Sequence, residues 1–128
     1  MTVPERIDPG WSWDDRLSLS QAVKAGNWLY ISGQIALDPG GNVVGKGDMR
    51  AQSQRVFENI AAILQQAGGT LDNLVRITAY LTDMSRYREY NEVRTKFLGT
   101  RPPASTTVQV SGLAFDGLIV EVDAVAYL

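Results

Sequence analysis

Neither cysteine nor histidine occurs among the 128 residues. Without cysteine there is no disulfide, no thiol nucleophile and no thiolate metal ligand. Without histidine there is no imidazole base, no Ser-His-Asp triad and no zinc site of Cys/His type. Proton transfer must then rest on carboxylates, lysine, tyrosine or a positioned water. A basic excess is missing too: Lys+Arg 12 against Asp+Glu 14 gives a net charge of −2. Binding to a phosphate backbone usually needs such an excess, so no nucleic-acid partner is expected. No run approaches the ~20 apolar residues of a membrane span, and none follows Met1–Arg6 as in a secretory signal. Lack of cysteine fits a cytoplasmic protein.

What remains is ordinary for one globular domain, with 45% apolar and 20% charged residues. Residues 1–16 read as an irregular leader, punctuated by Pro4, Pro9 and Gly10, in which Trp11 and Trp13 anchor the chain onto the domain of residues 17–128. Gln21–Ala25 and Trp28–Ser32 flank Gly26-Asn27 as a hairpin. Asp48 is placed to cap a helix with the stripe Val56, Phe57, Ile60, Ile63, Leu64 and Ala67, ended by Gly68-Gly69. Val75, Ile77, Ala79 and Leu81 alternate with Arg76, Thr78, Tyr80 and Thr82, the mark of a strand. A second helix carries Tyr87, Tyr90, Val93 and Phe97, and Pro102-Pro103 prevents its continuation. Strands over 105–110 and 118–126 complete a β-β-α-β-α-β-β order, an α+β two-layer domain with both helices on one sheet face.

The other face is predicted to be polar yet mostly uncharged. In the last strand Val120, Val122, Ala124 and Ala126 suit the helices, while Ile119, Glu121, Asp123 and Val125 point away. In the strand before it, Val108 and Val110 are assigned to the helices and Ser105, Thr107 and Gln109 to the far side. A face of this mixed character is expected to be covered by further copies of the chain in a closed symmetric oligomer.

Several motifs lose to simpler readings. Gly40–Gly47 nearly matches a phosphate loop, but Gly47 stands where a magnesium-binding hydroxyl is required, and the acidic Asp48 would repel a phosphate. Arg86-Tyr87-Arg88-Glu89-Tyr90 mixes bases and aromatics, but at helical spacing its tyrosines belong to the core and its charges to solvent. Glu121 and Asp123 share a face. They are read either as a structural pair or as a carboxylate of raised pKa able to act as acid or base. Nothing supplies the further oxygen ligands of a hard cation, so no metal is expected.

Ser20–Asn27 followed by Tyr30-Ile31-Ser32-Gly33-Gln34-Ile35 resembles the opening hairpin of the Rid/YjgF family of reactive-intermediate deaminases. The similarity runs on through Gly47-Asp48, Val56–Asn59, Thr82-Asp83-Met84, Asn91-Glu92-Val93, Pro103-Ala104, Thr107–Val110 and Glu121–Ala124. It covers residues 19–127. The resemblance implies a chorismate-mutase-like fold and a homotrimer whose sheets form a central barrel, with small-molecule clefts between subunits. It implies hydrolysis of 2-imino or 2-enamino acids to 2-keto acids and ammonia, without a cofactor. Carried over by position, the glutamate that assists water attack is Glu121 and the water-placing residue is Thr107. Ser32, Gly33 and Asn91 line the pocket.

Two positions depart from the family. Its carboxylate-gripping arginine is replaced by Ser105, and its pocket tyrosine by Leu19. A hydroxyl does not replace a bidentate guanidinium. Arg101 is the candidate substitute, yet four residues of extended chain at ~3.1 Å each put its backbone roughly 12 Å from Ser105, able to line a neighbouring part of the cleft only. The expectation is an imine or enamine hydrolase whose substrate is not the usual short 2-imino acid. The alternative is a trimeric binding or regulatory module without catalysis.

Overall fold

The computed structural model describes residues 3–128. One six-stranded sheet is built from β1 (Glu5–Ile7), β2 (Ala22–Ala25), β3 (Trp28–Ile35), β4 (Leu74–Leu81), β5 (Ala104–Gln109) and β6 (Val120–Tyr127), in the order β1-β2-β3-β6-β4-β5. Every pairing is antiparallel except β4 with β5. Helices α2 (Met49–Gln66) and α3 (Tyr87–Leu98) are the two long ones, and α1 (Asp14–Leu17) is a single turn. No helix among the described residues is long and apolar enough to cross a membrane.

The leader is more regular than expected. Residues 5–7 extend the sheet beside β2, and Trp13 is buried in a satellite cluster with Ile35, Ala36, Leu37 and Leu118. Trp11 stacks on it at 5.6 Å between ring centroids. Anchoring is therefore the observed use of both tryptophans. Residues 1 and 2 of the expected leader lie outside the described residues.

The helices follow from their sequences. The Asp48 carboxylate accepts the Ala51 amide at 3.0 Å and fixes the start of α2. Gly68, at φ +86°, turns the chain out of its end. Val56, Phe57, Ile60, Ile63 and Leu64 are fully buried against Leu29, Ile77, Ala79, Val120, Val122 and Ala124 of the sheet. Tyr90 and Val93 bring α3 into the same core. Buried amides tie loops to this core. Gln52 donates to the carbonyls of Gly45 and Gly117 and accepts the Ile119 amide at 2.9 Å. Asn59 donates to the carbonyls of Ile35 and Leu37 at 3.1 and 3.0 Å.

Two strands are irregular. β4 shifts register between Leu74 and Arg76, which leaves Val75 exposed rather than on the core face. β3 shifts between Ile31 and Gln34: Ile31 pairs Ala124 and Gln34 pairs Val122, so Ser32 and Gly33 together oppose Asp123. That is a β-bulge.

The faces of β5 are the reverse of those predicted. Its parallel register sets Ser105 beside Ile77, Thr107 beside Ala79 and Gln109 beside Leu81, all on the helix side. Gln109 Oε1 there accepts the Met84 amide at 2.8 Å. Val108 lies beside Tyr80 on the far face and is exposed. Alternation gives the period of a strand but not its phase, and a one-residue slip exchanges the faces. Apolarity misled here because β5 is an edge strand whose helix side is met by the polar flank of α3.

Candidate functional site

The expected site residues fall into two groups. The first is built on the β3 bulge. Ser32 Oγ donates to the Ser20 carbonyl at 2.6 Å, and the Ser32 amide donates to the Gln21 carbonyl at 2.9 Å. Behind them the buried Gln34 amide donates to the Ser32 carbonyl at 3.0 Å and to Gln21 Oε1 at 2.7 Å. Gln21 in turn donates to Asp14. This chain of amides holds the bulge in a fixed shape. Across the bulge, the Glu121 carboxylate lies where a Cβ on residue 33 would be. Gly33 is thus needed for space rather than for its backbone angle. Leu19, beside this group in sequence, is exposed.

Glu121 is half-buried, and burial pushes its carboxyl above the usual carboxylate range, with the charge of Asp123 adding to the shift. Asp123 is otherwise engaged: it accepts the Tyr80 hydroxyl at 2.8 Å, which raises the phenol and keeps it protonated. The two carboxylates therefore differ in role. Asp123 is a hydrogen-bonded neighbour, and Glu121, with its raised carboxyl, is the candidate acid or base.

The second group lies in the groove between α3 and β5. Thr107 lines a cleft of about 490 Å³ with Met84, Tyr87, Arg94 and Ser105. Arg94 and Ser105 also border an adjoining pocket of about 290 Å³, with Ile77, Leu98, Pro102 and Pro103 among its walls. The Arg94 guanidinium donates to Ser105 Oγ at 3.0 Å and to Asn91 Oδ1. It stands 5.9 Å from the Tyr90 ring centroid.

Within one chain the two groups do not meet. Glu121 and Gly33 occupy the far face of the sheet, Ser105 and Thr107 the helix face, and β4 runs between β6 and β5. Arg101 is exposed and borders neither cleft. The guanidinium beside Ser105 is that of Arg94, which the sequence reading missed. The available signal was spacing: Asn91 and Arg94, three residues apart on a helix, share a face.

The remaining motifs are structural. Lys46 of the glycine-rich loop turns to Asp116 at 3.2 Å. Arg86 pairs with Glu89 at 3.0 Å, and Arg88 with Glu92 at 3.8 Å.

Residues 14–128 match the family model described as Endoribonuclease L-PSP. The chain belongs to the Rid/YjgF family. A RutC family protein of Pyrococcus horikoshii is 46% identical over 108 residues, 84% of this chain and 85% of the relative. The crystal structure of RidA from an Antarctic Psychrobacter superposes with a TM-score of 0.81 at 41% identity, covering 87% of this chain and 89% of that one. That of yeast Mmf1 reaches 0.90 at 31% identity, with 98% of both chains covered. The Rid/YjgF fold is thus present from β2 to β6.

Proposed function

We propose that this Rid/YjgF chain hydrolyses the C–N bond of a small reactive imine or enamine in clefts formed between copies of itself. The observation that carries the reading is the Glu121 carboxylate, half-buried over a glycine that leaves room for it and raised by that burial. In this mechanism Glu121 takes a proton from water as the water oxygen bonds to the imine carbon. That proton passes to nitrogen and leaves a carbinolamine. Its hydroxyl proton then follows to nitrogen through Glu121 as the C–N bond breaks, and a carbonyl compound and ammonia leave. An enamine enters the same route after protonation at carbon. No cofactor is called for.

The position of the two groups supports assembly. Thr107 and Asn91 reach Glu121 and Ser32 only if the α3–β5 edge of one copy meets the bulge of the next. The far sheet face supports it as well. It exposes Trp28, Tyr30, Val108 and Tyr127, a mixed apolar surface suited to burial by further copies. We infer a homotrimer, located in the cytoplasm.

The test couples ammonia detection with an imine generated in situ. Glu121→Gln keeps shape and removes the base, and is expected to lower the rate about 10²-fold or more while the oligomer persists. Normal turnover by this variant would remove the mechanism.

Ser105 and Leu19 favour a second reading, a trimeric binding or regulatory module. It gains if wild type and Glu121→Gln both bind metabolites and neither releases ammonia. The ribonuclease activity in the family model's description has little support here, given a net charge of −2 and no histidine. Steep salt dependence of RNA binding would revive it.

A further inference from the structure

The arginines of the helices mostly have acidic partners. Arg50 pairs with Glu89 and Glu92, Arg55 with Glu58, Arg86 with Glu89, and Arg88 with Glu92. Arg94 forms no ion pair among the described residues. It is nevertheless held in place by neutral groups alone: Ser105 Oγ, Asn91 Oδ1 and the face of Tyr90. A guanidinium has five N–H donors in a fixed fork, and these contacts leave donors unengaged. An immobilised cation without a counter-charge, standing in a cleft, is built to receive an anion.

Its place in the groove adds a size argument. On one side of Arg94 lies the cleft of Thr107, Tyr87 and Met84, and on the other the pocket walled by Ile77, Leu98, Pro102 and Pro103. The second has apolar walls and about 290 Å³ of space, room for a branched or aromatic group.

We propose that Arg94 is the anion anchor of this site, and that it selects a carboxylic acid bearing a bulky apolar substituent. The carboxylate sits on the guanidinium, the reacting carbon points toward Thr107, and the substituent fills the Ile77–Leu98–Pro102–Pro103 pocket. This deepens the hydrolase reading and rests on it. The positive charge that Ser105 does not supply from the strand is delivered to the same spot from the helix, one hydrogen bond from the Ser105 hydroxyl.

Binding of 2-oxo acids, followed by calorimetry on the assembled protein, tests the anchor apart from turnover. Wild type is expected to bind phenylpyruvate more tightly than pyruvate, and more tightly than the uncharged phenylacetone. Arg94→Met should weaken phenylpyruvate by roughly 10- to 100-fold and erase the preference for the acid over the ketone. Arg94→Lys keeps charge without the fork and should fall between. Ser105→Arg alone should weaken binding by crowding two guanidinium groups, whereas the exchange Arg94→Ser with Ser105→Arg should recover most of it. Equal affinity for phenylpyruvate and phenylacetone, no phenylpyruvate binding at millimolar concentration, or a folded Arg94→Met variant of undiminished affinity would each overturn the anchor. Glu121→Gln separates the two readings: it should keep phenylpyruvate affinity and lose ammonia release. Full turnover by that variant removes the Glu121 mechanism, and no ammonia release by wild type removes the hydrolase; either result leaves the Arg94 anchor standing.

Discussion

Burial sets the charge of Glu121 against the stability of the fold, an effect that can be measured. Its carboxyl is raised above the ordinary 4.5 in the folded chain, first by burial and then by Asp123. The folded state therefore holds this proton more firmly than the unfolded one. As pH rises from that ordinary value through the folded pKa, ionisation of Glu121 destabilises the fold. Glu121→Gln should consequently melt higher than wild type near neutrality, and the gap should close on acidification below about pH 4.5. A variant that melts lower at pH 7 would show that the charge is compensated. Gly33→Ala probes the same carboxylate from the other side. The added Cβ meets the mobile end of Glu121, so thermal unfolding should change little while any ammonia release falls sharply. Equal activity would mean that the carboxylate works from a different position.

Single elements explain which parts of the fold the sequence disclosed. The α2 stripe was legible because its apolar residues recur at helical spacing and Asp48 and Gly68 mark its ends. Asp48→Ala should destabilise by about 1 kcal/mol through the lost cap, read from denaturant unfolding. Asn59→Leu should cost more, on the order of 2–4 kcal/mol, because it strips hydrogen bonds from the buried carbonyls of Ile35 and Leu37. The last strand was legible for the same reason as α2, with Val120, Val122, Ala124 and Ala126 all buried. β5 was not. Its residues alternate polar and apolar without saying which side is which, and only the parallel register with β4 decides that Ser105 and Thr107 face α3. The Ser32–Gly33 bulge and the role of Arg94 were hidden likewise, since both depend on which residues become neighbours across the sheet or groove. Family resemblance names Glu121, Thr107, Ser32 and Asn91 as candidates, but their division between two faces is a property of the folded chain.

At the scale of the whole molecule, sedimentation should report about three chains per particle, a closed ring in which the edge of each copy meets the bulge of the next. A stable monomer at micromolar concentration would remove the shared cleft. The separation of Glu121 from Thr107 by the thickness of the sheet also makes a genetic forecast. Chains disabled on opposite faces are each inactive alone, yet each retains the half that the other has lost. Unfolding Glu121→Gln and Thr107→Val proteins together and letting them reassemble should return about one quarter of the clefts to a fully wild-type complement, since each cleft draws its halves independently from two subunits. Two variants damaged in the same half, Glu121→Gln and Gly33→Ala, should stay silent in any mixture.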